Sequence, residues 1–272
     1  MKTSQKYLTS FFLLAFLWSW LCWMPLVLAS LGAINIPTQL FSGLKMPLII
    51  IGAFGPMFAA LIVIKKEHGK GSQIKFLREF LDFRLGWKAY LFPLLVVGGS
   101  TAFAWILPEF FGEKRLDMFL PSAWLFLPYL IIMILFGGGQ EEIGWRAYAL
   151  PLLENRFGIW KANFLLGIIW ALWHLPLWFI ADKSQTFMNF GGFILLTIGY
   201  SFIFSWIREI SGKKAFSGLF VHGVANAFIP FMPILIMKKN VEQPRFWLWV
   251  VATFAIGIII TLFRSKNKPI AQ

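Results

Sequence analysis

Charged residues are scarce in this chain of 272 residues. Asp, Glu, Lys and Arg together make up 14% of it, whereas hydrophobic residues make up 58%. A soluble domain is about 25% charged, because charged side chains cover its surface. The shortage excludes a soluble globular protein and indicates an integral membrane protein.

Cysteine, histidine and acidic residues are also few. The single cysteine, Cys22, excludes an intrachain disulfide, and only 12 acidic residues stand against 25 basic ones. In a soluble protein this net charge of +13 would suggest nucleic-acid binding, but no basic-aromatic module accompanies it. We therefore predict no nucleic-acid partner and expect the basic residues in loops on one side of a membrane.

Eight apolar segments are candidates for membrane-spanning helices, which need about 20 residues each. No repeat or linker divides the chain. These features predict one membrane domain over residues 1–272, an all-α polytopic bundle of about eight transmembrane helices. The segments are 7–29, a short second one at 47–64, 90–111, 121–140, 159–180, 189–208, 215–237 and 245–264.

The loop at 65–88 interleaves aromatic and aliphatic residues with Lys and Arg. This composition predicts an interfacial amphipathic helix after the second span, lying on the anionic inner leaflet. An ordinary connector that obeys the positive-inside rule is the alternative.

The distribution of basic residues predicts the orientation. On alternating spans, 18 of the 25 Lys and Arg residues fall on the side of the N-terminus, including Lys2 and Lys268. This bias predicts a multi-pass protein of the cell membrane with both termini in the cytoplasm.

Three polar islands interrupt the apolar segments. They are Glu141-Glu142-Ile143-Gly144-Trp145-Arg146, Trp170-Ala171-Leu172-Trp173-His174 and His222-Gly223-Val224-Ala225-Asn226. Ionisable groups in a bilayer are costly, so a functional role is the default hypothesis for them.

In the first island, helical spacing predicts different roles for the two acids. Glu142 stands four residues before Arg146, the favourable spacing for an intrahelical ion pair. Neighbouring helical residues point about 100° apart, so Glu141 faces elsewhere and is free for proton transfer. Glu142 and Arg146 are therefore predicted to be structural support. An interfacial acid-base cluster at a helix end is the alternative.

The other two islands supply imidazole and amide groups. His222 and Asn226, four residues apart, project from one helix face. His174 precedes Pro176, and proline invites a kink that opens a polar cavity. Each group has an alternative role in interhelical hydrogen bonding. Together they suit hydrolysis, with Glu141 as general base and His174, His222 and Asn226 orienting water or stabilising an oxyanion.

The ordered pattern Glu-Glu-x-x-x-Arg, aromatic-x-x-x-His and His-x-x-x-Asn resembles the CPBP intramembrane proteases. That family includes the type II CAAX prenyl endopeptidases and the bacterial Abi proteins. The resemblance implies a catalytic core over 120–240, and a cavity that opens toward the cytosol and is lined by Glu141, His174, His222 and Asn226. Trp170 stands where the family more often has phenylalanine.

Metal dependence stays open. Two histidines and one acid can bind zinc, with Glu141, His174 and His222 as the ligand set of a metalloprotease. The His-Glu-x-x-His spacing is absent, however, and nothing in the sequence requires a cofactor. We favour metal-independent chemistry; full activity of metal-stripped enzyme in millimolar chelator would exclude zinc.

The polar islands are predicted to lie at different depths in the membrane. Glu141 is predicted at the inner end of the fourth helix, whereas His174 is about fifteen residues, or roughly 22 Å, into the fifth. The levels meet only if the fifth helix starts well below the membrane or the bilayer thins there.

The function predicted is an intramembrane endopeptidase that cuts a peptide bond near the cytoplasmic face. Its partners are membrane lipid and a peptide or lipidated protein substrate. Two alternatives are a non-catalytic membrane immunity protein against a bacteriocin-like peptide and a proton-coupled transporter. Clustered acids at one helix end and the lack of an inverted repeat speak against the transporter.

Overall fold

The computed structural model describes residues 6–120 and 122–266, and these form helices and connecting loops without a strand. Lys2 and Lys268, counted above, and residue 121, the first of the predicted fourth segment, lie outside the described residues. The α-helices are α1 Leu8–Ser30, α2 Thr38–Ala53, α3 Gly55–His68, α4 Ser72–Arg78, α5 Trp87–Pro93, α6 Gly99–Ile106, α7 Phe126–Phe136, α8 Glu142–Gly144, α9 Leu150–Trp173, α10 Phe190–Ile210, α11 Phe216–Ala227 and α12 Pro244–Lys266.

This architecture confirms the all-α membrane bundle. Within the described part of the chain, six helical stretches are long and apolar enough to cross a membrane. The predicted number of eight differs for two reasons. One 57-residue stretch, Ala123–Phe179, contains most of the fourth and of the fifth predicted segment, and α11 is only 12 residues long.

The 57-residue stretch turns back on itself at Gly158. Gly158 has φ 74° and ψ 169°, a conformation that favours glycine. On either side of it, Asn163 Nδ2 donates to Glu154 Oε1 and Trp170 Nε1 donates to Glu141 Oε2. These nested contacts define an antiparallel pair of helices that reverses at Gly158.

The fourth span therefore does not end at the acidic motif. It breaks after Phe136, passes through a 3-10 turn at Gly139–Glu141 and continues helically to Phe157. The prediction that Glu141 lies at the inner end of the helix was wrong. Because Glu141 lies within the span, it reaches the level of Trp170, and the disagreement in depth disappears.

The second span is longer than the predicted 47–64 and bends at Phe54, between α2 and α3. Pro56 has no N–H to donate to the carbonyl of Gly52 four residues earlier. Ser19 Oγ of α1 donates to that carbonyl at 2.7 Å instead. A side chain of a neighbouring helix thus satisfies the group that the proline frees, as a bilayer requires.

The segment predicted at 215–237 is helical only as far as Ala227. Beyond it the chain is irregular, and Phe119 N donates to Pro230 O at 2.8 Å. Non-helical backbone at this depth is tolerated where protein buries it or a cavity lies beside it. Ile234 and Leu235 are buried here, which explains how an apolar sequence avoids a helix.

The loop after the second span contains the short helix α4 and a 3-10 turn at Glu79–Leu81. Its apolar side chains divide between two surroundings. Phe80 is buried, whereas Ile74 and Leu81 are exposed. The position of this helix on the inner leaflet stays a prediction.

The loops lie on two opposite faces of the bundle. One face, which we call the loop face, carries Ser30, whose Oγ accepts from Ala181 N, and Lys45, whose Nζ donates to Ala181 O. The opposite face carries the start of α1 and the end of α12, where Arg264 pairs with Glu209. The described ends of the chain therefore share one face, which we call the terminal face.

We predict that the terminal face is cytoplasmic, because basic residues concentrate there. In a Cys22→Ala background, a cysteine introduced at exposed Lys70 on the terminal face should resist a membrane-impermeant maleimide in intact cells. A cysteine at exposed Lys239 on the loop face should react. The reverse labelling pattern would contradict the orientation, and permeabilised cells provide the control for reactivity.

Candidate active site

Glu142 is the centre of a buried charge cluster. Its side chain is fully buried, and Arg146 is only 1% exposed. Arg146 Nη1 donates to Glu142 Oε1 at 3.1 Å, as the spacing predicted. His222 Nδ1 lies 2.7 Å from the same oxygen. Glu142 thus connects the first polar island to the third.

Arg146 is held by aromatic rings as well as by the acid. Its guanidinium carbon lies 4.4 Å from the centre of the Trp170 ring and 5.0 Å from that of Phe204. Desolvated cation–π contacts of this kind contribute about 2 kcal/mol. Arg146 falls in a π-helical turn, Trp145–Ala149, a type of distortion common at functional sites.

Glu141 has a different partner and is 4% exposed. Trp170 Nε1 donates to its Oε2 at 2.9 Å. Glu141 has no ion-pair partner among the described residues. The division of labour inferred from helix geometry is therefore present in the contacts: Glu142 is paired with Arg146 and His222, and Glu141 is held only by a neutral donor.

His174 lies at the C-terminal end of α9 and not within a continuing helix. Its Nδ1 donates to Trp170 O at 2.9 Å, so it satisfies a carbonyl left free at the helix end. A carbonyl only accepts, so Nδ1 carries the proton and Nε2 of the neutral ring is an acceptor. The ring stacks edge-on against Trp173 and Phe193.

His222 and Asn226 project from α11 toward Gly138. A Cβ atom built on Gly138 would lie 2.3 Å from His222 Nε2 and 2.7 Å from Asn226 Nδ2. Gly138 also has φ 123°, a backbone conformation that favours glycine. Both this conformation and the clash therefore exclude a side chain there. Asn226 Nδ2 donates to Gly137 O at 2.5 Å, which leaves its second hydrogen free. Two nitrogen atoms thus pack closely against Gly138, where any side chain would clash with both.

These side chains border one cavity of about 430 Å³. Glu141, Trp170, His174, His222 and Asn226 all line it. Its wall is otherwise largely apolar and includes residues from α2 and α7 that are about half exposed on the outside of the bundle. These residues are Met46, Ile132 and Phe136. The cavity is therefore accessible from the side of the bundle that faces lipid.

The cavity extends to the loop face, where Lys183, Ser184 and Gln185 line it. The resemblance implied a cytosolic opening, whereas the charge count implies cytoplasmic termini. Because the loop face is opposite the terminal face, these two predictions exclude one another. The labelling experiment above decides between them.

The predicted zinc ligands do not form a metal site in this arrangement. Among the residues that the structure describes, no three His, Cys, Asp or Glu side chains lie close enough together to hold a metal ion. The side chains of Glu141, His174 and His222 each have a hydrogen-bond partner of their own.

Comparison with known proteins indicates a class of protease. Residues 123–228 match the family model described as type II CAAX prenyl endopeptidase Rce1-like. A protein of Methanococcus maripaludis named CAAX prenyl protease 2 is 25% identical over 278 residues, which cover 98% of this chain and 97% of the relative. Lysostaphin resistance protein A of Staphylococcus haemolyticus is 24% identical over 231 residues, 81% of this chain and 58% of the relative.

These matches confirm the resemblance drawn from the three motifs. The matched residues, 123–228, contain all three motifs, so the comparisons support an intramembrane endopeptidase similar to the CPBP proteases.

Three features of the site were not predicted. The motif named Trp170 as an aromatic residue but did not indicate that its indole would bind Glu141. Glu142 was paired with Arg146 alone, because periodicity does not reveal a contact with His222 on another helix. The proximity of Gly138 to His222 and Asn226 becomes visible only in the fold.

We predict that Arg146→Leu destabilises the protein by roughly 3–5 kcal/mol, because it leaves Glu142 charged, buried and short of a partner. The matched control is Arg115→Leu, which removes the more exposed Arg115–Glu109 pair and should cost about 0–1 kcal/mol. Unfolding of purified protein in detergent micelles measures both. Equal losses for the two variants would contradict a structural role for the buried pair.

Proposed function

We propose that this protease hydrolyses a peptide bond inside the membrane, with Glu141 as the general base that activates water. The observation that carries the proposal is the different pairing of the two adjacent acids. Glu142 is neutralised by Arg146 and bonded to His222, whereas Glu141 meets only the Trp170 indole and faces the cavity.

Water would be held between Glu141 and His174. Both groups offer acceptors to the cavity: the carboxylate of Glu141 and Nε2 of His174, whose Nδ1 is occupied by the Trp170 carbonyl. A water molecule donates two hydrogen bonds, so two acceptors fix its orientation and leave a lone pair for attack. Glu141 then takes one of these protons as the oxygen attacks the substrate carbonyl.

The oxyanion would form over Gly138. Asn226 Nδ2 has a free hydrogen, and His222 would donate from Nε2 as an imidazolium whose Nδ1 is bonded to the Glu142 carboxylate. Fixed donors in a water-poor site stabilise developing charge strongly, and losing one costs about a hundredfold or more in rate. Because Gly138 has no side chain, both nitrogen atoms lie close to its backbone, and the oxyanion would form on their cavity side.

The reaction balances without a further reactant. The C–O bond to water forms, the C–N bond breaks, and the proton held by Glu141 passes to the departing amine nitrogen. The products are a new carboxylate and a new amino terminus. Glu141 is ionised again once that proton has left it, and the new carboxylic acid loses its own proton to water.

The cavity favours an apolar or lipidated peptide as substrate. Its wall is largely apolar, and half-exposed residues of α2 and α7 border it toward the lipid. A peptide anchored in the bilayer could enter without crossing a water-filled vestibule. The relative named CAAX prenyl protease 2 favours a lipidated substrate among these, and we propose that class for this chain.

We predict that Glu141→Gln abolishes cleavage, with at least about a thousandfold loss, while the protein still folds, because the amide keeps an acceptor for Trp170 but cannot take a proton. Glu113→Gln, on an exposed acid of the loop face, is the matched control and should cleave normally. Mass-spectrometric mapping of new peptide termini in cells with each variant measures the effect. Termini that persist in the Glu141→Gln cells at the wild-type level would refute the proposal.

A further inference from the structure

A second cavity lies at the terminal face of the bundle, where the second span ends. Its volume is about 690 Å³, within the range of small-molecule sites. Its walls are the end of α3, the connector that contains α4, and the part of the fourth span that follows the acidic motif. None of the described residues that line it also lines the catalytic cavity. The protease chemistry proposed above therefore does not use it.

Two buried polar groups in this cavity have no hydrogen-bond partner. The side chain of Glu67 is only 2% exposed, and its Oε1 accepts no hydrogen bond from a described residue. The hydroxyl of Tyr148 is buried and unbonded as well, so the two groups are not bonded to each other. The other carboxyl oxygen of Glu67 lies 3.7 Å from Nε2 of the exposed His68. Buried polar groups are costly without partners, so both groups are suited to a ligand that bonds to them.

Exposed charges surround the opening of the cavity. Lys70 and Lys75 line it, and neither has an ion-pair partner among the described residues. Glu79 is an exposed acid in the same wall. The cavity therefore has a buried carboxyl group inside and two ammonium groups, with one further acid, at its opening. A ligand that carries a positive and a negative group a few bonds apart matches this arrangement.

The connector that carries the two lysines is fixed in place. Gly69 and Gly71 have φ 82° and 86°, so the turn between α3 and α4 takes a conformation that favours glycine. Ser72 Oγ donates to Gly69 O at 2.7 Å. At the other end of the connector, Lys214 Nζ pairs with Asp82 at 2.5 Å. A segment anchored at both ends has a defined position, which a binding site requires.

The position of the cavity favours a lipid over a soluble ligand. The second span is Thr38–His68, so the connector begins at the surface of the hydrocarbon layer, where lipid headgroups lie. Ile74 and Leu77 of α4, next to Lys75 in the cavity wall, are 58% and 37% exposed. The acyl chains of a lipid can cover such side chains while its headgroup enters the cavity. A small soluble ligand would leave them exposed to water.

We propose that this cavity binds the headgroup of a phospholipid that carries a primary ammonium, as phosphatidylethanolamine does. The ammonium would donate to Glu67 Oε1 and to the Tyr148 hydroxyl, and the phosphate would accept from Lys70 and Lys75. A primary ammonium has three N–H groups, whereas the trimethylated ammonium of phosphatidylcholine has none. The buried carboxyl group therefore distinguishes the two lipids. The proposal concerns binding alone and is independent of the proposed protease reaction.

The test measures lipid binding to the full-length protein in uncharged detergent, by native mass spectrometry and by the rise in Tm. Phosphatidylethanolamine, phosphatidylcholine and phosphatidylglycerol with the same acyl chains are compared. Glycerophosphoethanolamine, which has the headgroup without the chains, is added as a soluble competitor. Glu67→Gln removes the buried charge, and Lys70→Gln/Lys75→Gln removes both ammonium groups. Matched controls make the same changes at exposed residues of the loop face: Glu113→Gln and Lys238→Gln/Lys239→Gln.

We expect the wild-type protein to bind phosphatidylethanolamine at least about tenfold more tightly than the other two lipids, as one lost charge-assisted hydrogen bond implies. Glu67→Gln should lose most of this preference. Lys70→Gln/Lys75→Gln should weaken phosphatidylethanolamine and phosphatidylcholine by the same factor, because both lipids carry the phosphate. Both controls should bind as the wild-type protein does.

Several results would overturn the proposal. Equal binding of phosphatidylethanolamine and phosphatidylcholine by the wild-type protein would do so, even where a variant fails to fold. Tightest binding of phosphatidylglycerol would show a basic surface without a role for Glu67. Displacement of the lipid by an equal concentration of glycerophosphoethanolamine would assign the cavity to a soluble ligand. Cleavage is not part of the readout, so failure of the proposed protease function would leave this result unchanged.

Discussion

A carboxylate inside a membrane-spanning bundle needs partners that are fixed in place, and Glu142 has them from its own span and from α11. Arg146 comes from the next turn of the same span, and His222 comes from a helix about eighty residues later. This interaction sets the separation of α11 from the acidic motif. It also aims the free nitrogen of His222 at Gly138 and, through Arg146, fixes the Trp170 ring that binds Glu141. The catalytic arrangement we propose depends on that one carboxylate.

Much of the architecture follows from composition and periodicity. The scarcity of charge, the apolar segments and the spacing of Glu142 and Arg146 predicted a helical membrane bundle with a buried ion pair, and the structure has both. These features are local, because hydropathy and i,i+4 spacing act within one helix. The three motifs together also pointed to the protease class that the comparisons bear out.

The errors arose where the fold overrides a local pattern. The fourth span was predicted to end at the acidic motif, because a sequence does not show that helix resumes after Glu141. The bend at Phe54 is stable because Ser19 satisfies a carbonyl on another helix. The region after Ala227 is apolar but irregular, because neighbouring chain buries it. Each outcome depends on a contact between residues distant in sequence. The predicted depth of Glu141 was wrong because the sequence does not show that its span continues.

The site contains one structural charge cluster, around Glu142, and one reactive carboxylate, Glu141. The central claim is that Glu141 activates water and does not itself attack the substrate. A single turnover with excess enzyme in ¹⁸O-water, followed by mass spectrometry, tests this most directly. The account predicts one ¹⁸O atom in the new carboxylate of the product and none in the enzyme peptide that contains Glu141. Label in the Glu141 side chain would show a covalent intermediate on that residue and contradict the account.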